Sequence, residues 1–186
     1  FRLGAFWPAS GASPLPMRAV AIASALPFSV EGRVPPETED PRADVRMVAA
    51  GYFETMKISL LEGRFLDERD TAAATRTAVI NETMARRYFP DRSPVGLFIE
   101  NPHGRNEVVG VVADVRNQGL DSVPKKQVYL PLRQNPVPAM ALVARTERDP
   151  MAFAATLQRE IWAVDAAQPI YDLSTMDQIL ARAVFL

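Results

Sequence analysis

The chain has 186 residues, 48% hydrophobic and 23% charged, enough to bury one large core or two small ones and too apolar for a disordered polymer. Twenty-one Lys and Arg stand against 22 Asp and Glu, a formal net charge of -1, so no field gathers the chain onto a nucleic-acid backbone or an anionic bilayer. Cysteine is absent, which excludes disulfides and thiolate metal sites and leaves the compartment open.

The first sixteen residues mix Phe1, Leu3, Phe6 and Trp7 with Gly4, Pro8, Gly11, Pro14 and Pro16, a composition that breaks a helix before two turns are complete. Phe at the first position, with no basic stretch leading into an apolar one, reads as a piece of a longer protein rather than a natural start or an intact signal peptide. No apolar run, Ala19 to Phe28 included, reaches the roughly 20 residues that cross a bilayer.

From Met17 the pattern becomes regular. Val20, Ile22 and Ser24 set up a strand and Phe28 to Glu31 a second, followed by a Pro- and acid-rich loop from Val34 to Pro41. Val45, Met47 and Ala49 alternate with Arg46 and Val48, so a half-buried strand is expected there. At Gly51 the period changes: Tyr52 with Met56, and Phe53 with Lys57, are four apart and share a helix face. Leu60 and Leu61 give an apolar anchor, Gly63 allows a turn, and the run Asp67-Glu68-Arg69-Asp70 resists burial.

Arg76 to Ile80 predicts a strand and Asn81 the N-cap of the next helix, with Glu82 in its first turn and Arg86 and Arg87 in its last. Leu97 to Ile99 and Glu107 to Arg116 flank the turn cluster Asn101-Pro102-His103-Gly104-Arg105-Asn106, which predicts a hairpin. Gln127 to Leu130 and Met140 to Thr146 read as strands. Asp149 and Pro150 open a helix whose Phe153, Leu157, Ile161 and Val164 form one face expected to be buried. Ile170 to Leu173 reads as a last strand, and Ser174 with Asp177 as a capping box opening a final helix.

Chemistry is sparse. His103 is the sole histidine and sits between Pro102 and Gly104, without the partners that a transition-metal site needs. Asp67, Glu68 and Asp70 lack the glycine and alternating oxygens of a calcium loop, and read as a solvated segment paired with Arg64. Asp114 and Arg116, two apart on an expected strand, read as sheet-ordering groups rather than an acid and a base. Tyr52, Phe53 and Met56 read as core. No phosphate loop, nucleophile elbow or dinucleotide turn occurs, so no catalytic residue, cofactor or metal is expected.

Five blocks carry a family likeness in order: Gly51-Tyr52-Phe53 with Met56 and Leu60-Leu61-Glu62-Gly63-Arg64; Ala78-Val79-Ile80-Asn81-Glu82 with Tyr88-Phe89-Pro90; Pro94-Val95-Gly96; Val108 to Val115; and Val128 to Leu132. Together they resemble the extracytoplasmic core domain of MacB-type, FtsX-like ABC transporter permeases, nearest the soil-bacterial, acidobacterial-type branch, over roughly Met17 to Leu180. The resemblance implies an α+β fold of α/β layers: a porter-like βαβ subdomain, residues 17–60 and 138–186, with a Sabre-like α/β subdomain, residues 61–137, inserted in it. Residues 1–16, where relatives carry a helix, are set apart as an irregular segment. Relatives also commonly carry Ser-Pro where this chain has Ala49-Ala50, so Ala49 is expected to be a cap position without its hydroxyl.

Further implications are a place on the periplasmic side of the inner membrane and partners in the membrane helices of the same permease, a second permease copy or half, a cytoplasmic ATPase and a periplasmic adaptor. The function implied is mechanical: helix motion driven by ATP passes to a substrate or adaptor, in export or efflux, with no catalysis in the domain. Lys57, Ile58, Glu62, Pro136 and Pro138, on the two crossings between subdomains, are the expected hinge. Glu37, Glu39 and Asp40, in the acid-rich loop, are the expected partner contacts. The alternative is a free-standing extracytoplasmic solute- or lipid-binding domain, which requires one deep apolar pocket with a few convergent polar groups.

Overall fold

The computed structural model describes residues 17–32, 41–115, 123–147 and 149–184. Among them are nine strands: β1 (Met17–Pro27), β2 (Ser29–Val30), β3 (Arg42–Val48), β4 (Leu60–Gly63), β5 (Thr77–Asn81), β6 (Phe98–Asn101), β7 (Gly104–Val112), β8 (Gln127–Pro131) and β9 (Ala141–Ala144). The α-helices are α1 (Tyr52–Met56), α2 (Glu82–Tyr88), α3 (Ala154–Val164) and α4 (Met176–Val184), with a 3-10 turn, Pro150–Phe153, leading into α3. Compactness divides the chain into one unit of Phe1–Arg116 with Val123–Ala144 and another of Asn117–Ser122 with Arg145–Leu186.

The first unit is a mixed sheet in the order β2-β6-β7-β5-β8-β3-β1-β9, with β4 also paired to β7. The predicted hairpin is β6 and β7, closing with Asn101 opposite Gly104. Strand β7 is long enough to serve three partners: its first half takes β6, its second half takes β4, and β5 runs parallel along it. Strand β3 runs parallel to β8, from Asp44 opposite Gln127 to Val48 opposite Pro131. The resemblance assigns these two strands to different subdomains, and they are hydrogen-bonded neighbours in one sheet.

Period-2 alternation then fixes two cores, one on each face. Val45, Met47, Ile80, Val128 and Leu130 meet Met84 and Tyr88 of α2 on one side. Val48, Val79, Val112 and Tyr129 meet Tyr52 and Phe53 of α1 on the other. Each fully buried side chain of this size contributes about 1.5–3 kcal/mol, so these strands, with a helix against either face, are the stable centre of the unit.

Several expectations are corrected. Leu60 to Gly63 is a strand rather than a plain anchor and turn, and all four of its residues are exposed. The expected strand at Ile170 to Leu173 has no ladder partner among the described residues; Tyr171 is exposed and Asp172 takes a positive φ of 48°. Helix α3 forms after Asp149 and Pro150 as predicted, with Asp149 accepting from the Met151 amide at 3.0 Å, yet no residue of α3 is buried. Its apolar stripe is real in sequence but only half covered. The final capping box lies one residue later than predicted: Thr175 Oγ1 accepts from the Gln178 amide at 3.2 Å and Gln178 Oε1 accepts from the Thr175 amide at 2.9 Å. Adjacent Ser174 and Thr175 both offer a hydroxyl, and the glutamine decides between them by reaching back.

Candidate functional site

The segment from Ala49 to Asp70 follows from its residues step by step. Tyr52 and Phe53 are 2% and 0% exposed, so the aromatic pair is core, as expected. Phe53 stacks on Phe65 with centroids 5.1 Å apart and meets Tyr129 edge-on at 5.0 Å. Burial raises the Tyr129 phenol far above its ordinary value, and its hydroxyl donates to Gln127 Oε1 at 2.5 Å. The cap of α1 is not Ala49, however: Gly51 holds the N-cap with φ 79°, and Ala49 contributes only its carbonyl, which accepts from the Tyr52 amide at 3.2 Å.

The first expected crossing begins where α1 ends. Lys57 is the C-cap in the left-handed region, φ 56°, a conformation with a cost for a side-chain-bearing residue. Ile58 is 8% exposed and belongs to the α1-side core. Glu62 lies in β4 opposite Val111 and accepts a hydrogen bond from Ser93 Oγ. Pro136 and Pro138, on the second crossing, are exposed. One crossing is therefore anchored by core and ladder, and the other runs over the surface just after Gln134 and Asn135.

The acidic run carries a correction. Asp70 is 2% exposed rather than solvated, and its carboxylate is fully used. Arg64 donates to both of its oxygens at 2.9 and 2.8 Å, the Asp67 amide donates at 2.8 Å and Thr77 Oγ1 at 2.8 Å. Burial alone pushes the Asp70 carboxyl up, but these donors together outweigh it and hold it below the usual carboxylate range. Asp67, gripped by the Arg69 guanidinium and amide, is lowered to about 2. Gln134 closes the same clasp, accepting from the Thr77 amide at 3.1 Å and donating to the Thr71 and Thr75 carbonyls at 3.1 and 2.9 Å. The loop between β4 and β5 is thus tied to the turn after β8.

A second polar node sits at Asn81, 0% exposed. Its Oδ1 accepts from the Met84 amide at 3.2 Å, the predicted cap, and from the Gln127 amide at 2.9 Å. Its Nδ2 donates to Asp114 Oδ1 at 2.5 Å and to the Lys125 carbonyl at 2.9 Å. Asp114 lies past the end of β7, not within it, and caps α2 a second time through the Thr83 amide at 2.9 Å and the Thr83 hydroxyl at 2.7 Å. Arg116, its expected companion, lies outside the described residues. Sequence spacing showed one cap for α2; the second comes from a residue 31 positions away and left no local signal.

The remaining expected residues are dispersed. His103 is half-buried at the hairpin tip, and its backbone amide donates to Asn101 Oδ1 at 2.8 Å. Glu37, Glu39 and Asp40 lie outside the described residues. Among the described residues no group of acidic and histidine side chains is arranged to hold a metal ion, and no helix is long and apolar enough to cross a membrane. Within the second unit, an open trough runs along α3, lined by Ala155, Gln158, Arg159, Trp162 and Ala163.

A family model described as the MacB-like periplasmic core domain matches residues 3–165. The uncharacterized ABC transporter permease YknZ of Bacillus subtilis (strain 168) is 28% identical over 93 residues, which is 50% of this chain and 23% of that protein. The chain therefore matches about a quarter of the length of this curated relative. Among solved structures, the extracellular domain of the noncanonic ABC-type transporter YknZ from Gram-positive bacteria superposes with a TM-score of 0.60 at 18% identity, covering 89% of this chain and 84% of that one. The periplasmic region of MacB from Actinobacillus actinomycetemcomitans superposes with a TM-score of 0.58 at 17% identity, covering 80% and 66%. These two likenesses show the α+β fold.

Proposed function

Because the chain belongs to the MacB-like periplasmic core domain family, non-catalytic periplasmic domains of ABC transporter permeases, we propose that it works as a mechanical relay. Motion of membrane helices, driven by a cytoplasmic ATPase, enters the domain and is passed to a substrate or a periplasmic adaptor during export. A second permease copy or half faces it across the transporter. The observation that carries this reading is the use made of the buried polar side chains: Asp70, Asn81 and Gln134 each tie one chain segment to another. Spent in this way, polar groups stiffen a body that transmits displacement, whereas a catalytic or solute-binding site would leave them aimed at a ligand.

The porter-like and Sabre-like division is part of the proposal, with the hinge at Lys57, Ile58, Glu62, Pro136 and Pro138. Since β3 and β8 are paired across that division, the motion is a twist of the sheet about their ladder rather than a separation of two bodies. Glu37, Glu39 and Asp40 present an acidic loop to the adaptor. The test uses the intact permease with its ATPase: cysteines at Glu62 and Pro138, joined by thiol crosslinkers of graded length, should lower export while leaving the thermal unfolding midpoint unchanged or raised. Undiminished export in the joined protein would overturn the hinge.

A further inference from the structure

We propose that an ordered water molecule is bound at the corner where the β6–β7 hairpin meets the start of β5, held by Arg76, Asn101 and Asn106. In the hairpin, Asn101 is opposite Gly104 and Ile99 is opposite Asn106. Residues two apart share a face, so Asn101 and Asn106 lie diagonally on the face that carries Ile99 and Val108 into the α2-side core. Arg76 stands on the same side, two residues before Ala78 of that core. It is close to the hairpin: a Cβ built on Gly104 would be 3.3 Å from Arg76 Nε.

Each of the three side chains is satisfied at one point and bare at another. Asn101 Oδ1 accepts from the His103 amide at 2.8 Å, Asn106 Nδ2 donates to the Gly104 carbonyl at 2.6 Å, and Arg76 Nη2 donates to Asn135 Oδ1 at 2.5 Å. These bonds fix the amide orientations, because rotating either asparagine would set like atoms against each other. What remains are two donors, Arg76 Nε and Asn101 Nδ2, and one acceptor, Asn106 Oδ1, all buried and without a hydrogen-bond partner among the described residues. Asn106 is 0% exposed and Asn101 8%, so bulk solvent does not satisfy them.

Water fits this set. It accepts from both donors on its two lone pairs and donates one hydrogen to Asn106 Oδ1, the three-bond pattern common for buried waters. A halide would take the two donors but face the amide oxygen, and a cation would face the guanidinium. The corner adjoins the second crossing, since Asn135 immediately precedes Pro136; the water would therefore join the hairpin and β5 at the foot of that surface segment. This inference rests on side-chain valence and does not depend on the mechanical reading.

The test is water-selective nuclear magnetic resonance on the 15N-labelled chain. The Asn101 side-chain amide and the Arg76 Nε–H should show laboratory-frame and rotating-frame cross-peaks to water of opposite sign, the mark of a molecule held far longer than the waters that hydrate the surface. In Asn106→Leu, which keeps the volume and removes the acceptor, those cross-peaks should fall to background; in Asn106→Asp, which keeps an acceptor, they should persist. Absence of a resident-water signal at both groups in the unaltered chain overturns the proposal whatever the variants do. So does a crystal grown in bromide that shows an anomalous peak between Arg76 and Asn101, or one in which Asn101 Nδ2 bonds Asn106 Oδ1 directly.

Discussion

Gly110 lies so close beneath Arg64 that a Cβ on it would be 2.1 Å from the Arg64 carbonyl oxygen. One residue earlier the relation is mirrored: a Cβ on Gly63, whose φ is 72°, would be 2.3 Å from the Val109 carbonyl oxygen. The β4–β7 crossing is therefore a backbone-on-backbone contact, which is why Leu60 to Arg64 and Val108 to Val115 carry glycine where they do. Gly110→Ala should destabilise the chain by about 2–3 kcal/mol, as overpacking against backbone does. Gly96→Ala, with a φ of 85° and nothing within 4 Å of the new carbon, should cost about 1–2 kcal/mol. Urea unfolding of the two variants checks the order; equal losses would mean that β4 does not press on β7.

Asp70→Asn should cost about 2–3 kcal/mol, below the full range for a broken buried pair because Arg64 is 32% exposed and can turn toward water. The pH dependence follows from the lowered carboxyl. Its folded value lies below the unfolded value of about 3.9, so its contribution is fully present above that value and is lost as pH falls through the folded one. Unfolding midpoints between pH 6 and pH 2.5 should fall more steeply in the unaltered chain than in Asp70→Asn. Asp67, also lowered, titrates in the same window, so the variant's slope should shrink without vanishing.

Asn81→Ala removes a helix cap of about 1 kcal/mol and strands two buried donors and the Lys125 carbonyl, while Asp114 Oδ1 keeps the Thr83 amide, and should cost about 3–4 kcal/mol in all. Asn81→Asp is the sharper probe. Its second oxygen would replace a donor and face Asp114 Oδ1 and the Lys125 carbonyl, which raises the new carboxyl's pKa in the folded state. Protonation restores a donor there. The deficit against the unaltered chain should therefore be large at pH 8 and shrink toward pH 5, read as a difference in thermal midpoints; a deficit independent of pH would place the amide elsewhere.

These nodes also mark where the sequence stopped being informative. Asn81 was legible as a cap because Glu82 and the inward Met84 follow it at fixed spacing, and the hairpin at Asn101 to Asn106 was legible from its turn residues. Asp70 was legible only in part: its run was expected to pair with Arg64, and does, but a charged run reads as solvated, and Thr77, which completes the burial, reaches it only once β5 is placed. Strand β4 was missed for a related reason: its four residues are exposed, so it shows no alternation, and its pairing to β7 is made far along the chain. Conversely, Ile170 to Leu173 has strand-forming residues and no strand to join among the described residues. Local pattern reports what a segment prefers, and partners at long range decide whether the preference is used.

His103→Ala should change stability by no more than about 0.5 kcal/mol, because its hydrogen bond to Asn101 uses the backbone amide, which alanine keeps. Calorimetric titration of the purified chain with ATP should give no binding heat, with or without the substitution. A folded His103→Ala permease that no longer exports would contradict the non-catalytic reading.

The parallel pairing of β3 with β8 also governs when this sheet can exist. On the side away from β1, Asp44 finds its ladder partner only at Gln127, and at synthesis rates of about 5–20 residues per second β3 waits roughly 4–17 s for β8 to emerge. During that interval the antiparallel β1–β3 pair presents Val45 and Met47 on an unfinished edge. The nascent domain is then most exposed to misassociation midway through its own manufacture, before β8 arrives to close it.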